Sequence, residues 1–179
     1  MFEELSLHIL DIAMNSLAAG ARKIQIAVIE SVKHDWLILR IRDDGRGMDG
    51  PTLKRVLARN FTTKSSRKKP IGLGLALLRQ SSEMCGGTFD IRSVQGRGTS
   101  ITASMRLSHV DRPPLGDLSA TILALCAANP NVDVQLSYHS DETRFQFSSQ
   151  ELKQNERCSN EPRRTQEVEK KSPATSRAA

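Results

Sequence analysis

Near the start of the chain, apolar residues recur three and four apart: Leu7, Leu10, Met14 and Leu17 in "LSLHILDIAMNSLAA". That spacing predicts a helix with these four on its buried stripe, closed by Gly20 in a left-handed C-terminal cap. The period then shortens to two. "KIQIAVIE" and "WLILRIRDDG" are rich in β-branched residues and predict two strands paired across "SVKHD", the second ending at an Asp-Gly turn. Asp49 caps a short helix through "LKRVLAR", with Pro51 in its first turn. Residues 60–71, "NFTTKSSRKKPI", have no period and are expected to form a mobile loop. "GLGLALLRQSSEMCGG" is a second helix that starts and stops at glycines, and "TFDIRSV", "QGRG" and "TSITASMRL" make a hairpin.

Beyond the proline-rich joint "HVDRPPLG" the pattern predicts one more helix, "DLSATILALCAAN", and two short strands, "VDVQLSYHS" and "TRFQFSS". The expected division is a first unit over 1–109, a small α/β appendix over 110–150 and a disordered tail over 151–179, where large apolar residues nearly vanish. The appendix is open to three roles: completing the core, mediating a homodimer, or docking a partner. Only 38% of the 179 residues are hydrophobic, but they concentrate before residue 150, where a core is expected.

The N-terminus has no basic segment leading into an apolar stretch, and no long apolar run follows, so a cytoplasmic protein without a membrane partner is expected. Cys85, Cys126 and Cys158 are odd in number and lack CxxC spacing, which argues against a disulfide framework or a zinc site. The net charge of +6 sits largely in "KSSRKK" and the tail with no interleaved aromatics, the pattern of a solvated basic surface rather than a nucleic-acid site.

Three short stretches bear chemistry. Asp11 and Asn15 are spaced i, i+4 and share one helix face, as a polar helix edge or as a ligand contact. In "DDGRGM" the Asp43 carboxylate can accept from an exocyclic amino group such as that of adenine, while Gly45 and Gly47 let a planar ligand near the main chain; an ordinary Asp-Gly turn reads the same. "GLGL", Gly72 to Leu75, opens a helix whose free N–H groups suit a phosphate, or simply packs tightly. It is neither a P-loop nor a dinucleotide fingerprint, lacking the Lys of one and the third glycine of the other.

Together these pieces resemble the GHKL superfamily of gyrase-type topoisomerases, heat-shock chaperones, histidine kinases and mismatch-repair ATPases. "DIAMNSLAAGA" is similar to its N box, "DDGRGM" to its first glycine box, "RNFTTKSSRKKP" to its ATP lid, "GLGLALL" to its second glycine box and "QGRGTS" to its third. The resemblance covers roughly residues 5–107. It implies an α+β two-layer sandwich in which a mixed, mainly antiparallel sheet has helices on one face. It further implies ATP and magnesium as cofactors. Asn15 would hold the metal, Asp11 would activate water or a hydroxyl, and Asp43 would read adenine beside Gly45, Gly47 and Met48. Gly72, Leu73, Gly74 and Leu75 would wrap the phosphates, Thr63 and Lys64 would approach from the lid, and Thr99 would support the adenine side.

By the same resemblance the chain is expected to be a stand-alone ATPase or protein-kinase module in signalling, of histidine or anti-sigma serine kinase type, without its own phosphoacceptor domain. The alternative is a non-catalytic, ATP-dependent protein-binding switch. Either way a protein partner is expected at the lid or the appendix. Several residues depart from the family pattern. Asp11 is one methylene shorter than the usual glutamate, Ala18 replaces the acid of N-S-L-D-A-G-A, and Pro70 and Ile71 stand before the second glycine box. "HILD" around His8 is not a phosphoacceptor motif, and only four residues precede the helix that carries the N box.

Overall fold

The computed structural model describes residues 4–58, 73–151 and 153. The expected loop over 60–71 and the tail beyond 153 lie outside them, as do Thr63, Lys64, Gly72 and Cys158. In chain order the elements are α1 (Leu5–Ala18), β1 (Lys23–Ser31), β2 (Trp36–Asp43), α2 (Gly50–Ala58) and α3 (Leu73–Met84), then β3 (Phe89–Val94), β4 (Gly98–Arg106), α4 (Leu118–Ala128), β5 (Asp133–His139) and β6 (Arg144–Ser148).

All six strands form one sheet, ordered β3-β4-β2-β1-β5-β6. Every pairing is antiparallel except β1 with β5, where Ile24 lies opposite Val134 and Ile26 opposite Leu136. A parallel neighbour requires a crossover, and α4 provides it, packing on α1 and β5 over the helical face. The expected α+β architecture with a mixed, mainly antiparallel sheet is therefore the observed one.

Residues 110–150 complete this sheet and its core rather than standing beside it. Leu118, Ile122, Leu125, Val134 and Leu136 belong to the same buried cluster as Ile24, Leu39 and Ile101. The joint also caps α1, because the amides of Leu5 and Ser6 donate to the carbonyls of Pro114 and Leu115 at 2.9 Å each. Two of the four amides that every helix leaves unpaired at its start are satisfied in this way.

The buried stripe of α1 differs from the expected one. Leu7 and Met14 are 47% and 53% exposed, while Leu5, Ile9, Ile12, Ala13 and Ser16 face the sheet with His8. Leu10 and Leu17 are only half-buried. The helix is apolar on two sides, so its period alone does not select the side that packs. Asp11 and Asn15 then flank the core on the side toward α3, which packs against α1. Among the described residues, no helix is long and apolar enough to cross a membrane, and Cys85 and Cys126 are free thiols.

Candidate functional site

The site grows out of the inward-facing row of β2. Leu37, Leu39 and Ile41 are buried at every second position, and Asp43 takes the next place, only 7% exposed. Its Oδ1 accepts the amides of Gly45 at 2.9 Å and Thr99 at 3.2 Å, and its Oδ2 accepts the Ser16 hydroxyl at 2.8 Å. Contacts from α1, β4 and its own loop thus fix the direction of this carboxylate.

The loop after Asp43 is fastened at both sides. Arg46 donates its amide to Ala19 at the end of α1, and its carbonyl receives the amide of Gly96 in the β3–β4 turn. Gly47 has φ +62°, and a Cβ there would lie 2.1 Å from the Val94 carbonyl oxygen, so the loop can sit on the hairpin only with glycine. The Met48 amide donates to Ser93 Oγ at 2.8 Å, and Ser93 Oγ also meets the Gly98 carbonyl at 3.1 Å and Thr99 Oγ1 at 2.9 Å. The Met48 side chain, half-buried, packs against the core. Asp49 caps α2 as expected, its Oδ1 accepting the Thr52 amide at 2.8 Å, and the Thr52 hydroxyl and amide hold its carboxyl below the usual carboxylate range.

On α1, Asn15 is half-buried and its carboxamide makes no hydrogen bond among the described residues. One turn earlier Asp11 is exposed and meets the start of α3: a Cβ on Gly74 would come within 2.8 Å of both Asp11 Cβ and Oδ2. Glycine at 74 is what lets α3 approach the acid so closely. Leu75, one residue on, is half-buried against the core, and Leu73 opens the helix. Asp11, Asn15, Asp43, Gly45, Gly47, Met48, Gly74, Leu75 and Thr99 are thus placed by elements that pack on one another.

Two residues at the site escaped the sequence analysis. Ser16 follows Asn15 and falls on the true buried stripe, where a hydroxyl among Ile9, Ile12 and Ala13 was the available signal. Ser93 gave no signal, because its role exists only once the hairpin meets the loop.

Among the described residues, no group of three or more His, Cys, Asp or Glu could hold a metal ion. One helical turn from Asp11, Asn15 carries a side-chain oxygen, a hard donor that fits magnesium, which takes few protein ligands and completes its octahedron with phosphates and water.

Residues 1–109 match the family described as histidine kinase-, DNA gyrase B-, and HSP90-like ATPase. The chain belongs to this ATPase family. Its relatives include the sensor histidine kinase ZraS of Escherichia coli (strain K12), 26% identical over 114 residues, which are 64% of this chain and 24% of ZraS. The sensor histidine kinase DcuS of the same strain is 32% identical over 72 residues, 40% of this chain and 13% of DcuS. The chain spans about a quarter or less of the length of the curated relatives it matches. Among solved structures, the Aquifex aeolicus MutL ATPase domain complexed with ADP shares the fold at TM-score 0.51 and 15% identity, over 82% of this chain and 64% of that one. The ATPase fold of the family is therefore the fold of this chain.

Proposed function

We propose that the chain binds Mg-ATP between α1, the β2–α2 loop, β4 and the start of α3, and acts in the cytoplasm as the catalytic module of a signalling ATPase or protein kinase. The observation that carries this reading is the Asp43 carboxylate, aimed by Ser16, Gly45 and Thr99, with the Asn15 carboxamide, which makes no hydrogen bond among the described residues, on the adjoining helix. Family membership and the ADP bound by the MutL relative support it.

In this reading Asp43 accepts from the adenine amino group, which a fixed acceptor selects over a purine bearing a carbonyl there. Gly45, Gly47 and Met48 shape that pocket, and Thr99 steadies Asp43 through its amide. Asn15 offers its side-chain oxygen to magnesium, the hard-cation choice. Gly72, Leu73, Gly74 and Leu75 are the phosphate contacts of this reading, the last three at the amino end of α3, and Thr63 and Lys64, which like Gly72 lie outside the described residues, are those of the lid. When bound, Mg-ATP supplies the phosphoryl group and neutralises its charge. Asp11 takes the proton from the attacking water or protein hydroxyl, which requires hydrogen-bond reach of that oxygen. The protein acted upon is separate from this chain and approaches from the lid or the 110–150 side.

The contact of Asp11 with α3 favours a second reading. A carboxylate one methylene short of glutamate and packed against Gly74 has little freedom to advance, and the module is then a nucleotide-gated binder without turnover. ATP titration with and without magnesium, with phosphate release recorded in the same samples, separates the two. Wild type should bind only with magnesium, Asn15→Ala should lose binding, and Asp11→Asn should bind but release no phosphate. Binding without release in wild type would exclude the ATPase and leave the switch or a kinase still without its acceptor protein, and absence of binding would defeat both readings.

A further inference from the structure

The side of the sheet away from the helices is charged, and its charge is one-sided. Arg40 and Arg42 of β2 are exposed there, and neither makes a hydrogen bond or ion pair among the described residues. Register sets their neighbours: Arg42 lies between Gln25 and Ser100, and Arg40 between Ala27 and Thr102. On β5, Gln135 and Ser137 continue the two rows. Arg40, Arg42, Gln25, Gln135 and Ser137 line a concavity of about 410 Å³ together with Gln146 of β6. That volume lies within the range of ligand-sized clefts.

Two carboxylates of this face are already engaged, and a third, Glu151 at the rim of the concavity, makes no ion pair among the described residues, one acid against two guanidiniums. Asp90 pairs with Arg92 at 2.8 Å, and Asp133 pairs with Lys23 at 4.0 Å and accepts from Gln135 at 2.8 Å. Arg40 and Arg42 are left over on alternate residues of one strand, their Cα atoms about 6.8 Å apart. An extended polypeptide presents its alternate side chains at the same spacing, and each guanidinium takes a carboxylate through two parallel hydrogen bonds. We propose that this open face docks an acidic, extended segment of a protein partner, with Arg40 and Arg42 as its carboxylate receptors.

Two other occupants suit the face less well. The chain's own residues 154–179 follow from beside Glu151, at the rim, but bring six Lys and Arg against four Glu. A single nucleic-acid strand binds by stacking on aromatic rings, and among the described residues the only aromatic lining the concavity is Phe147, half-buried against the core. The proposed surface lies across the sheet from Asp43, so partner and nucleotide bind at the same time. It stands independently of the nucleotide reading.

The test is fluorescence anisotropy of the full-length chain with a labelled twelve-residue peptide of alternating Glu and Ser, at about 50 mM salt so that surface charges are weakly screened. Arg40→Glu with Arg42→Glu should weaken binding by about tenfold or more, and the paired lysine variant by a few-fold, since lysine keeps the charge but not the fork. Both should retain the wild-type circular dichroism spectrum. Lys33→Glu with Arg97→Glu, the same charge change in turns away from the face, should leave affinity nearly unchanged. No saturable binding by wild type, or equal loss in the two Glu pairs, would overturn the proposal. So would tighter binding of a single-stranded oligonucleotide of equal charge, which would assign the face to nucleic acid.

Discussion

The two sides of β2 are built from one strand and do opposite things. Leu37, Leu39, Ile41 and Asp43 turn toward the helices and are all buried, whereas Trp36, Ile38, Arg40 and Arg42 turn away and none is. On the inner side, packing decides position, and the last member of the row uses that rigidity to aim a carboxylate. On the outer side no helix imposes shape, and residue identity is free to answer to charge. A polar group is well placed for recognition where an apolar row ends, because the row holds the backbone still while the group itself meets the loops.

The largest expected effect tests the inner row. Ile41→Ala removes a side chain 1% exposed, and should cost about 2–5 kcal/mol in urea unfolding, including the cavity it leaves. Ile38→Ala, on the outer side of the same strand, should cost about 1 kcal/mol or less. Equal losses would mean that the outer side is also packed, and the contrast between the faces would fail.

Next in size is the carboxylate itself. Asp43→Asn keeps shape and one acceptor for the Gly45 and Thr99 amides, so stability should move by about 1 kcal/mol at most. Nucleotide affinity, read by calorimetry, should fall by about 10–100-fold, the value of a hydrogen bond to a charged group. Unchanged affinity would remove Asp43 from the adenine side. Gly47→Ala attacks the same place from the backbone: strain at positive φ and the Val94 carbonyl should together cost about 1–3 kcal/mol, with a displaced loop and weaker binding.

The contrast also accounts for what could be read in advance. The place of Asp43 was legible because the β-branched run "WLILRIRDDG" reads as a strand that ends at an Asp-Gly turn. The hairpins were legible for the same reason, each being two alternating runs on either side of a turn. Helix α1 was harder: Leu5, Ile9 and Ile12 make one stripe and Leu7, Leu10 and Met14 another. The true stripe contains His8 and Ser16, which made it look the less apolar of the two. The place of β5 was beyond reach, since "VDVQLSYH" alternates identically whether it leads a separate unit or lies parallel to β1. Strand order belongs to the crossover through α4, not to the strand's own residues. Ser93 shows the same limit at the site, with a role defined by the Met48 amide and Thr99, distant in sequence or meaningful only after folding.

The smallest effects should appear at the other end of the β1–β2 hairpin, away from Asp43. Asp141 reaches across to the turn and accepts the amides of Val32 at 2.7 Å and Lys33 at 3.0 Å and the Ser31 hydroxyl at 2.9 Å. Asp35, in the turn, accepts the Ser108 amide at 2.8 Å and its hydroxyl at 3.1 Å. The Lys33 amide first, and the Ser31 hydroxyl next, hold the Asp141 carboxyl below its ordinary value of 3.8, and the Ser108 amide does the same for Asp35. A depressed folded value means that the unfolded chain binds these protons more readily. The stabilisation is therefore complete above the ordinary carboxylate range and is lost as pH falls through the lower folded values. Both groups are exposed, so the loss should be modest and should weaken as salt is added. Thermal unfolding between pH 5 and pH 2.5 should show the wild-type midpoint falling, with a shallower fall in Asp35→Asn and Asp141→Asn because each removes one titrating group. Hydrogen exchange in the same range should loosen the Val32–Asp35 turn before the amides of the inner row. A simultaneous loss would show that the hairpin opens as one unit and that its two ends are not separately held.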